Sequence, residues 1–527
     1  MSIVQNIVGF TKRSSLPKIG KSFTYNMYVD IKDATENSFT QILKPMPGYV
    51  DTGFTASEGS PEITGDPQGM YKVSKGNDGN PALYGIWDKR IYHIDETTKQ
   101  YYYIASIAGS GKVTFGETTG YGQNHHHLCL CDGVAVYAFE VDGTDSENAA
   151  SFRTILLPNK YGTDAEEGPT NPITPGWICY LYGYLVCGEK DSDIFYTSYQ
   201  FPFETRVDNE IDYNIFEVTE DTSYLGHYTM AEWQPDKTVI GCSNSSRLFT
   251  LGTRSFQVFT YQSDANSPFA SPDTASKNIG IRNGDSLACF GDYVFWLGCS
   301  DMGENQFFMM GGDSSPQVIS TDSIESMVKK YSKASMRAFC MNWDSHPLYI
   351  VSFLDDGVTL AYDTTTKGWI NLGSRVSSGV EGCYRYSNAI VSPNGDVFLQ
   401  DTGALVKATE DYWWEHDETP ILRKRAGGIL TVDHKPFKVG SIKLITNNGD
   451  YPLVTDRPPQ IVMRLSKDGQ TWRSATTHSL GRVGQYGYDT IFRPHEKVTY
   501  MTVEFGSSDN IGFALYGIDV KGVSCLR

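Results

Sequence analysis

The chain has 527 residues, with 62 Asp and Glu against 44 Lys and Arg, a formal net charge of −18. Holding nucleic acid by neutralising phosphates takes clustered Lys and Arg that release counterions, so this acidity excludes a tight, sequence-reading DNA binder. Aromatic residues make up 13% of the chain, 51 glycines supply turns and only 20% is charged, which favours many short strands.

Residues 1–55 carry little periodic apolar pattern and are punctuated by Pro17, Pro45, Pro47 and Gly48, which reads as an extended N-terminal arm. From 56 to 436 one unit recurs loosely: a short aromatic or β-branched strand, a tight turn, and a second such strand. It appears at 128–130 with Asp132-Gly133 and 134–137, at 179–182 with Gly183 and 184–187, and at 286–290 with Gly291-Asp292 and 293–297. It returns at 348–353 with Asp356-Gly357 and 358–362, then at 389–391 with Asn394-Gly395 and 397–399, with a weaker candidate near Ser243-Asn244. Asp-Gly and Asn-Gly between apolar runs signal hairpins because both turn residues must accept positive φ. Gaps of about 40 to 65 residues between the turns lie near or above the period of a four-stranded propeller blade. The expectation is an all-β chain: a β-propeller with blade insertions, its blade number open between five and seven, and only short sheet edges left to solvent.

Within that span, residues 158–176 form a long loop rich in Gly, Pro, Asp and Glu, and its Asp164, Glu166 and Glu167 are channel or contact candidates. One helix is expected where Asp322 and Glu325 make a capping arrangement and Ile324, Met327, Val328 and Tyr331 share a face, packed on the side of a blade. Beyond 437 the pattern changes to strands near 442–446, 461–465, 500–505 and 513–520, a separate small C-terminal β-domain over 437–527.

Few motifs point to chemistry. In the run His125 to Cys131, a strand would project His125, His127, Cys129 and Cys131 to one face, inviting a metal. Ligands at i, i+2 on one strand do not usually converge tetrahedrally and no second cluster completes the site, so the competing reading is a strand with polar His at its start and buried thiols after it. Ala108-Gly109-Ser110-Gly111-Lys112-Val113-Thr114 is similar to a phosphate loop but lacks its first glycine and the hydroxyl after Lys, which makes it a turn into a strand. Asp344-Ser345-His346 holds triad residue types, yet sequence neighbours cannot form the relay. Ser466 to Trp472 is close to the Asp-box hairpin of sialidase-like propellers, with one residue missing. Arg423-Lys424-Arg425, beside Glu415, Asp417 and Glu418, reads as local charge balance. The ten cysteines form no compact framework and read as buried thiols made in a reducing cytoplasm. No stretch approaches about 18 consecutive apolar residues and the start lacks a signal-peptide core, so a soluble chain without a direct membrane anchor is expected. No catalytic residue, cofactor or metal is assigned.

Several stretches together resemble the tail hub, or nozzle, proteins of short-tailed bacteriophages, also called packaged-DNA stabilisation proteins. Asn26-Met27-Tyr28 and Leu43-Lys44-Pro45-Met46-Pro47-Gly48 are similar to that family's opening segments, and Ala108 to Thr114 to a Gly-Ser-Gly-Arg-Val-Ser segment. The most distinctive block is Ser323-Ile324-Glu325, Lys329-Lys330-Tyr331-Ser332, Met336, Trp343-Asp344-Ser345-His346-Pro347-Leu348-Tyr349-Ile350 and Leu360-Ala361-Tyr362-Asp363. Ser466 to Trp472 and Ser479 to Tyr486 resemble its C-terminal segments. No single match is specific, but their order from 26 to 486 is.

The resemblance implies a β-propeller subunit, not an enzyme, in a homohexameric ring on the DNA exit channel in the virion tail, assembled in the host cytoplasm. It implies a portal-adaptor protein, a tail fibre or tailspike, and a tail needle or plug as partners, with DNA as transient, non-specific cargo. Acidity then suits a conduit that repels phosphate, though it also simply keeps a large β-protein soluble. The alternatives are a carbohydrate-binding or glycan-cleaving propeller, which predicts an aromatic-rimmed mouth with two carboxyl groups, and a monomeric intracellular scaffold.

Overall fold

A computed structural model describes residues 2–5, 7–12, 22–31, 41–74, 80–119, 125–141, 145–160, 172–203, 210–216, 228–244, 246–264, 267–272, 276–300, 303–312, 315–376, 379–432, 434–451 and 457–524. Among them, seven consecutive antiparallel units form the blades of a β-propeller. Blades 1 to 6 span 67–106, 114–154, 175–230, 238–270, 279–318 and 336–372. Blade 7 is built from Ala389–Val391, Val397–Asp401 and Ala404–Thr409, and its fourth strand is Gly48–Asp51, from the N-terminal segment. The ring closes between blades 7 and 1, where Trp87 Nε1 donates to Asp401 O (2.9 Å), Gln400 Nε2 to Ile86 O (3.2 Å) and Lys72 Nζ to Val391 O (3.2 Å). Apolar clusters fill the spaces between neighbouring blades, as where Tyr84 and Ile86 of blade 1 meet Leu128 and Phe139 of blade 2. Both faces of most blades are therefore covered, which is why strands such as His127–Cys131 and Tyr184–Glu189 are buried throughout rather than alternating.

All six hairpins expected from the turn residues form, including the weak one at Ser243-Asn244. Their uneven spacing has a simple origin. The turn falls between the first and second strands in blades 3, 4, 5 and 7, but between the second and third in blades 2 and 6. Blade 1 gave no glycine signal because Asp88 (φ 45°) and Lys89 (φ 66°) make its Trp87↔Arg90 turn. Such a primed turn usually selects glycine, as at Gly183 (φ 90°).

The expected helix, α2 at Asp322–Val328, buries Ile324, Met327 and Val328 between blades 5 and 6. Its N-cap is Thr321 and no capping box forms, because the Glu325 carboxylate instead accepts from Ser320 Oγ (2.8 Å) and Gln306 Nε2 (3.4 Å). A second helix, α1 at Asp145–Ser151, had no periodic signal; it lies before the last strand of blade 2.

The C-terminal part is a β-sandwich whose sheets cross the boundaries expected at 55 and 437. One of its layers is a direct continuation of blade 6. Phe23–Tyr25 pairs in parallel with Gly368–Leu372 and antiparallel with Arg423–Ala426, followed by Thr502–Ser507, Gln460–Ser466 and Thr476–Ser479. The opposing layer joins Met27–Ile31 and Gln41–Pro45 to Leu515–Ser524 and Phe437–Thr446, with Ser2–Gln5 on its edge. Met27, Val29, Leu43, Ile442, Leu444, Ile461, Phe505 and Ile518 are among the residues between the layers. The N-terminal segment is thus shared among the sandwich, the bridging strand and blade 7.

Candidate functional site

Two places collect the residues singled out in the sequence: the axis of the propeller and its junction with the sandwich.

At the axis, the glycine segment 108–114 does not cradle phosphate. The backbone amides that would do so already donate to the Asp132 carboxylate, from Ala108 at 3.0 Å and Gly109 at 2.6 Å, together with Val134 (2.9 Å) and Ala135 (2.8 Å). Burial alone would raise the Asp132 pKa, but these donors outweigh it and hold the carboxyl below its usual range. Lys112 then points inward. From the inner edge of blade 2 its ammonium donates to Leu287 O of blade 5 (2.9 Å) and Ala338 O of blade 6 (3.3 Å). In a ring of seven those blades lie opposite blade 2, so this one side chain crosses the central tunnel. It stays open to water, and desolvation by the surrounding protein lowers its pKa below the ordinary lysine value.

The histidine run leads into the second strand of blade 2, which begins at His127. His125 Nδ1 meets the Glu140 carboxylate, and His126 Nε2 lies 3.1 Å from Glu117 Oε1. His127 is buried, stacked 4.1 Å from the Phe203 ring and 3.3 Å from Tyr213 Oη, and burial pulls its pKa down to about 3. Burial pushes the Cys129 thiol up strongly and that of Cys131 to about 12. Each histidine faces a separate partner, and among the described residues no three His, Cys, Asp or Glu side chains gather in a way that could hold a metal. Of the nine described cysteines, Cys129, Cys131, Cys179, Cys187 and Cys242 are buried, whereas Cys289 is exposed and Cys299, Cys340 and Cys383 are intermediate. Asp164, Glu166 and Glu167 lie outside the described residues.

The junction brings together the segments that carried the family resemblance. The turn Asp344-Ser345 connects the first two strands of blade 6. Asp344 Oδ2 accepts from Tyr28 Oη and from Lys44 Nζ, both at 2.8 Å, and Lys44 Nζ also reaches Asp30 at 2.8 Å. His346 packs 4.9 Å from the Tyr28 ring, with Nδ1 2.8 Å from Asp363 Oδ2 and Nε2 3.9 Å from Asp30 Oδ1. Burial would lower the His346 pKa, but the hydrogen bond and charge of Asp363, aided by Asp30 and Asp344, raise it. The arrangement binds two bodies together and lacks a nucleophile, since no serine hydroxyl bonds His346 among the described residues.

Three further residues, Asn26, Arg423 and Arg425, hold the junction in ways the sequence reading did not assign to them. Asn26, at φ 52°, donates from its amide nitrogen to Gly373 O (2.8 Å) and Leu422 O (2.9 Å), and its Oδ1 accepts from Gly373 N (3.0 Å). Arg423 and Arg425 are not surface charges balanced by local acids. Arg423 is 1% exposed and donates to Met46 O, Pro47 O and Trp413 O; Arg425 donates to Ile7 O, Phe10 O and Thr24 Oγ1. A guanidinium carries five donors, enough to satisfy several carbonyls where strands cross. The neighbouring acids have other partners: Glu415 accepts from Ser374 and Tyr386, and Asp417 pairs with Arg385. The Asp-box-like segment is a hairpin turn, with Asp468 Oδ1 accepting from Ser466, Gln470 and Thr471.

Among solved structures, the chain is similar to streptogramin B lyase at 9% identity, covering 73% of this chain and 98% of that one with a TM-score of 0.36. It is similar to the WD40 β-propeller domain of Doa1 at 9% identity, covering 68% and 96% with a TM-score of 0.33. It is also similar to YCF48 from Cyanidioschyzon merolae at 10% identity, covering 66% and 96% with a TM-score of 0.34. No curated protein matches the chain. Residues 61–410 match the model of the phage stabilisation family, described as bacteriophage P22 Gp10, β-propeller, and this match takes in blades 1 to 6, the three strands of blade 7 that follow them, and about two thirds of the chain. The chain belongs to that phage packaged-DNA stabilisation family of β-propellers.

Proposed function

We propose that this protein is a non-enzymatic tail hub or nozzle subunit that forms a ring of six around the DNA exit channel, closes it after packaging and passes DNA at infection. The observation that carries this reading is the family match over residues 61–410. The DNA path lies between copies and not through any one propeller. A tunnel that Lys112 alone spans is too narrow for a duplex whose major groove is by itself about 12 Å wide. Six copies at −18 carry −108, and carboxylates facing a shared lumen would repel phosphate and leave the DNA no sites to grip. In this reading the junction makes propeller and sandwich one rigid block, as a subunit under the pressure of packaged DNA requires. The portal-adaptor protein, a tail fibre or tailspike, and a tail needle or plug are its proposed neighbours in the virion.

Electron microscopy of the assembled particle tests the proposal. The expected result is six copies in the tail with carboxylates lining the shared channel. A lumen lined by Lys and Arg would overturn the sliding mechanism, and a position away from the tail would overturn the hub assignment.

A further inference from the structure

Between blades 4 and 5, on the face where the inner strands begin, lies a cavity of about 560 Å³, within the range of small-molecule sites. Gln234, Arg254, Asn278, Arg282 and Glu304 line it. In a chain this acidic most cations would be expected to find carboxylates, yet neither the Arg254 nor the Arg282 guanidinium has an ion-pair or hydrogen-bond partner among the described residues. Asp236, the nearby acid, is already occupied by the Arg254 amide (2.6 Å) and the hydroxyls of Thr253 (3.2 Å) and Ser255 (2.6 Å). At the rim Trp233 is 40% exposed, and its indole N–H is anchored to Asn278 Oδ1 at 3.1 Å, as is Gln234 Nε2 at 3.1 Å.

We infer that this cavity binds a monoanionic acidic sugar of the hexuronate class, alone or within a polysaccharide. Arg254, Arg282 and the nearby Lys333, set against Glu304 and Asp236, leave one net positive charge, which matches one sugar carboxylate. Arginine is suited to that group because its planar fork can donate two parallel hydrogen bonds to it. Glu304 supplies an acceptor, and Asn278 Nδ2 a donor, for ring hydroxyls. The Trp233 face offers an apolar platform with its polar end already fixed. A nucleotide fits less well: the Arg254 amide that could help cradle a phosphate is taken by Asp236, and a phosphate chain brings more negative charge than the cavity balances. The cavity's single lining carboxylate supports binding and not glycoside cleavage, which takes a pair.

The test is titration of the full chain with sodium D-glucuronate, read by calorimetry and tryptophan fluorescence, with D-glucose, uridine monophosphate and a polyglucuronate oligosaccharide in parallel. Saturable glucuronate binding with Kd near or below about 1 mM is expected, at least about tenfold tighter than glucose. It should weaken at least about tenfold in Arg254→Ala and in Arg282→Ala, and about threefold or more in Trp233→Ala, each with an unchanged circular dichroism spectrum. Tighter binding of the oligosaccharide would identify a polymer as the source, and equal binding the free sugar; both support the site. Arg282→Lys, which keeps charge but not the fork, serves if an alanine variant fails to fold and should also weaken binding. Absence of saturable binding, equal affinity for glucose, preference for uridine monophosphate, or indifference to the arginine changes would each overturn the inference.

Discussion

Tyr28 and Asp344 stand 316 positions apart in the chain, yet the Tyr28 hydroxyl donates to the Asp344 carboxylate at 2.8 Å. One belongs to a strand of the sandwich and the other to a turn of blade 6, so the bond is part of the clasp that fixes the two bodies. Burial and this partner raise the Tyr28 pKa, which keeps the hydroxyl a donor. Tyr28→Phe should therefore cost about 1.5–3 kcal/mol, the range for a bond to a charged acceptor, while the fold persists. Urea unfolding of the variant beside the wild type measures this; an unchanged midpoint would show that the clasp contributes nothing.

The same junction sets a pH dependence. His346 has a folded pKa above its unfolded value, so its contribution is fully present below about pH 6.5 and disappears as pH rises through the folded value. Burial would raise the Asp344 pKa, but Lys44 and Tyr28 lower it, so its contribution is present above the ordinary carboxylate range and lost on acidification. The difference in melting temperature between wild type and His346→Asn is expected to be largest near pH 5–6 and to shrink above neutrality. A difference that grows with pH would contradict the assignment of the charged imidazolium to the folded state.

Asp132 replaces a phosphate as the anion in the glycine segment. Asp132→Ala would leave the amides of Ala108, Gly109, Val134 and Ala135 without their acceptor. The predicted loss is about 3 kcal/mol, since several partly buried donors lose one charged partner together. Thermal unfolding checks it, and a loss below about 1 kcal/mol would mean that water substitutes fully.

Lys112 behaves differently because its tunnel admits water. Lys112→Ala should cost only about 1 kcal/mol, as the carbonyls of Leu287 and Ala338 can rehydrate. Assembly, followed by native mass measurement, should not change. If the ring of blades instead loosened, as limited proteolysis would reveal, the lysine would be an organiser of the propeller and not a plug.

Removal of residues 1–51 would take away the fourth strand of blade 7 and the strand that bridges blade 6 to the sandwich. The truncated chain would expose unpaired strand edges at Ala404–Thr409, Gly368–Leu372, Arg423–Ala426 and Leu515–Ser524, which are templates for aggregation. Size-exclusion chromatography is expected to show aggregated material, whereas a monodisperse, protease-resistant product would show that the propeller closes without this strand.

How much of this was legible in the sequence follows from which interactions are local. Turns containing Gly or Asn, three of them Asp-Gly or Asn-Gly, marked hairpins in six blades because a tight turn restricts residue choice within two positions. Blade 1 was missed because Asp88 and Lys89 adopt positive φ without a glycine. The spacing of these turns left the blade number open, since it depends on which turn of each blade carries the signal. The long-range pairing of Gly48–Asp51 with Ala404–Thr409, which completes the seventh blade, leaves no local trace at all.

The sequence by itself determined the all-β class, the hairpins, the acidity and the ordered motifs that resemble one phage family, because each rests on local backbone preference, composition or order along the chain. Only the tertiary structure decided that there are seven blades, that the N-terminal segment laces propeller to sandwich, and that Arg423 and Arg425 are buried donors. It also made Lys112, read in the sequence as part of a turn into a strand, a bar across the tunnel. These outcomes depend on partners more than a hundred residues away, and a side chain's role there is set by which carbonyl or carboxylate the fold brings within about 3 Å of it.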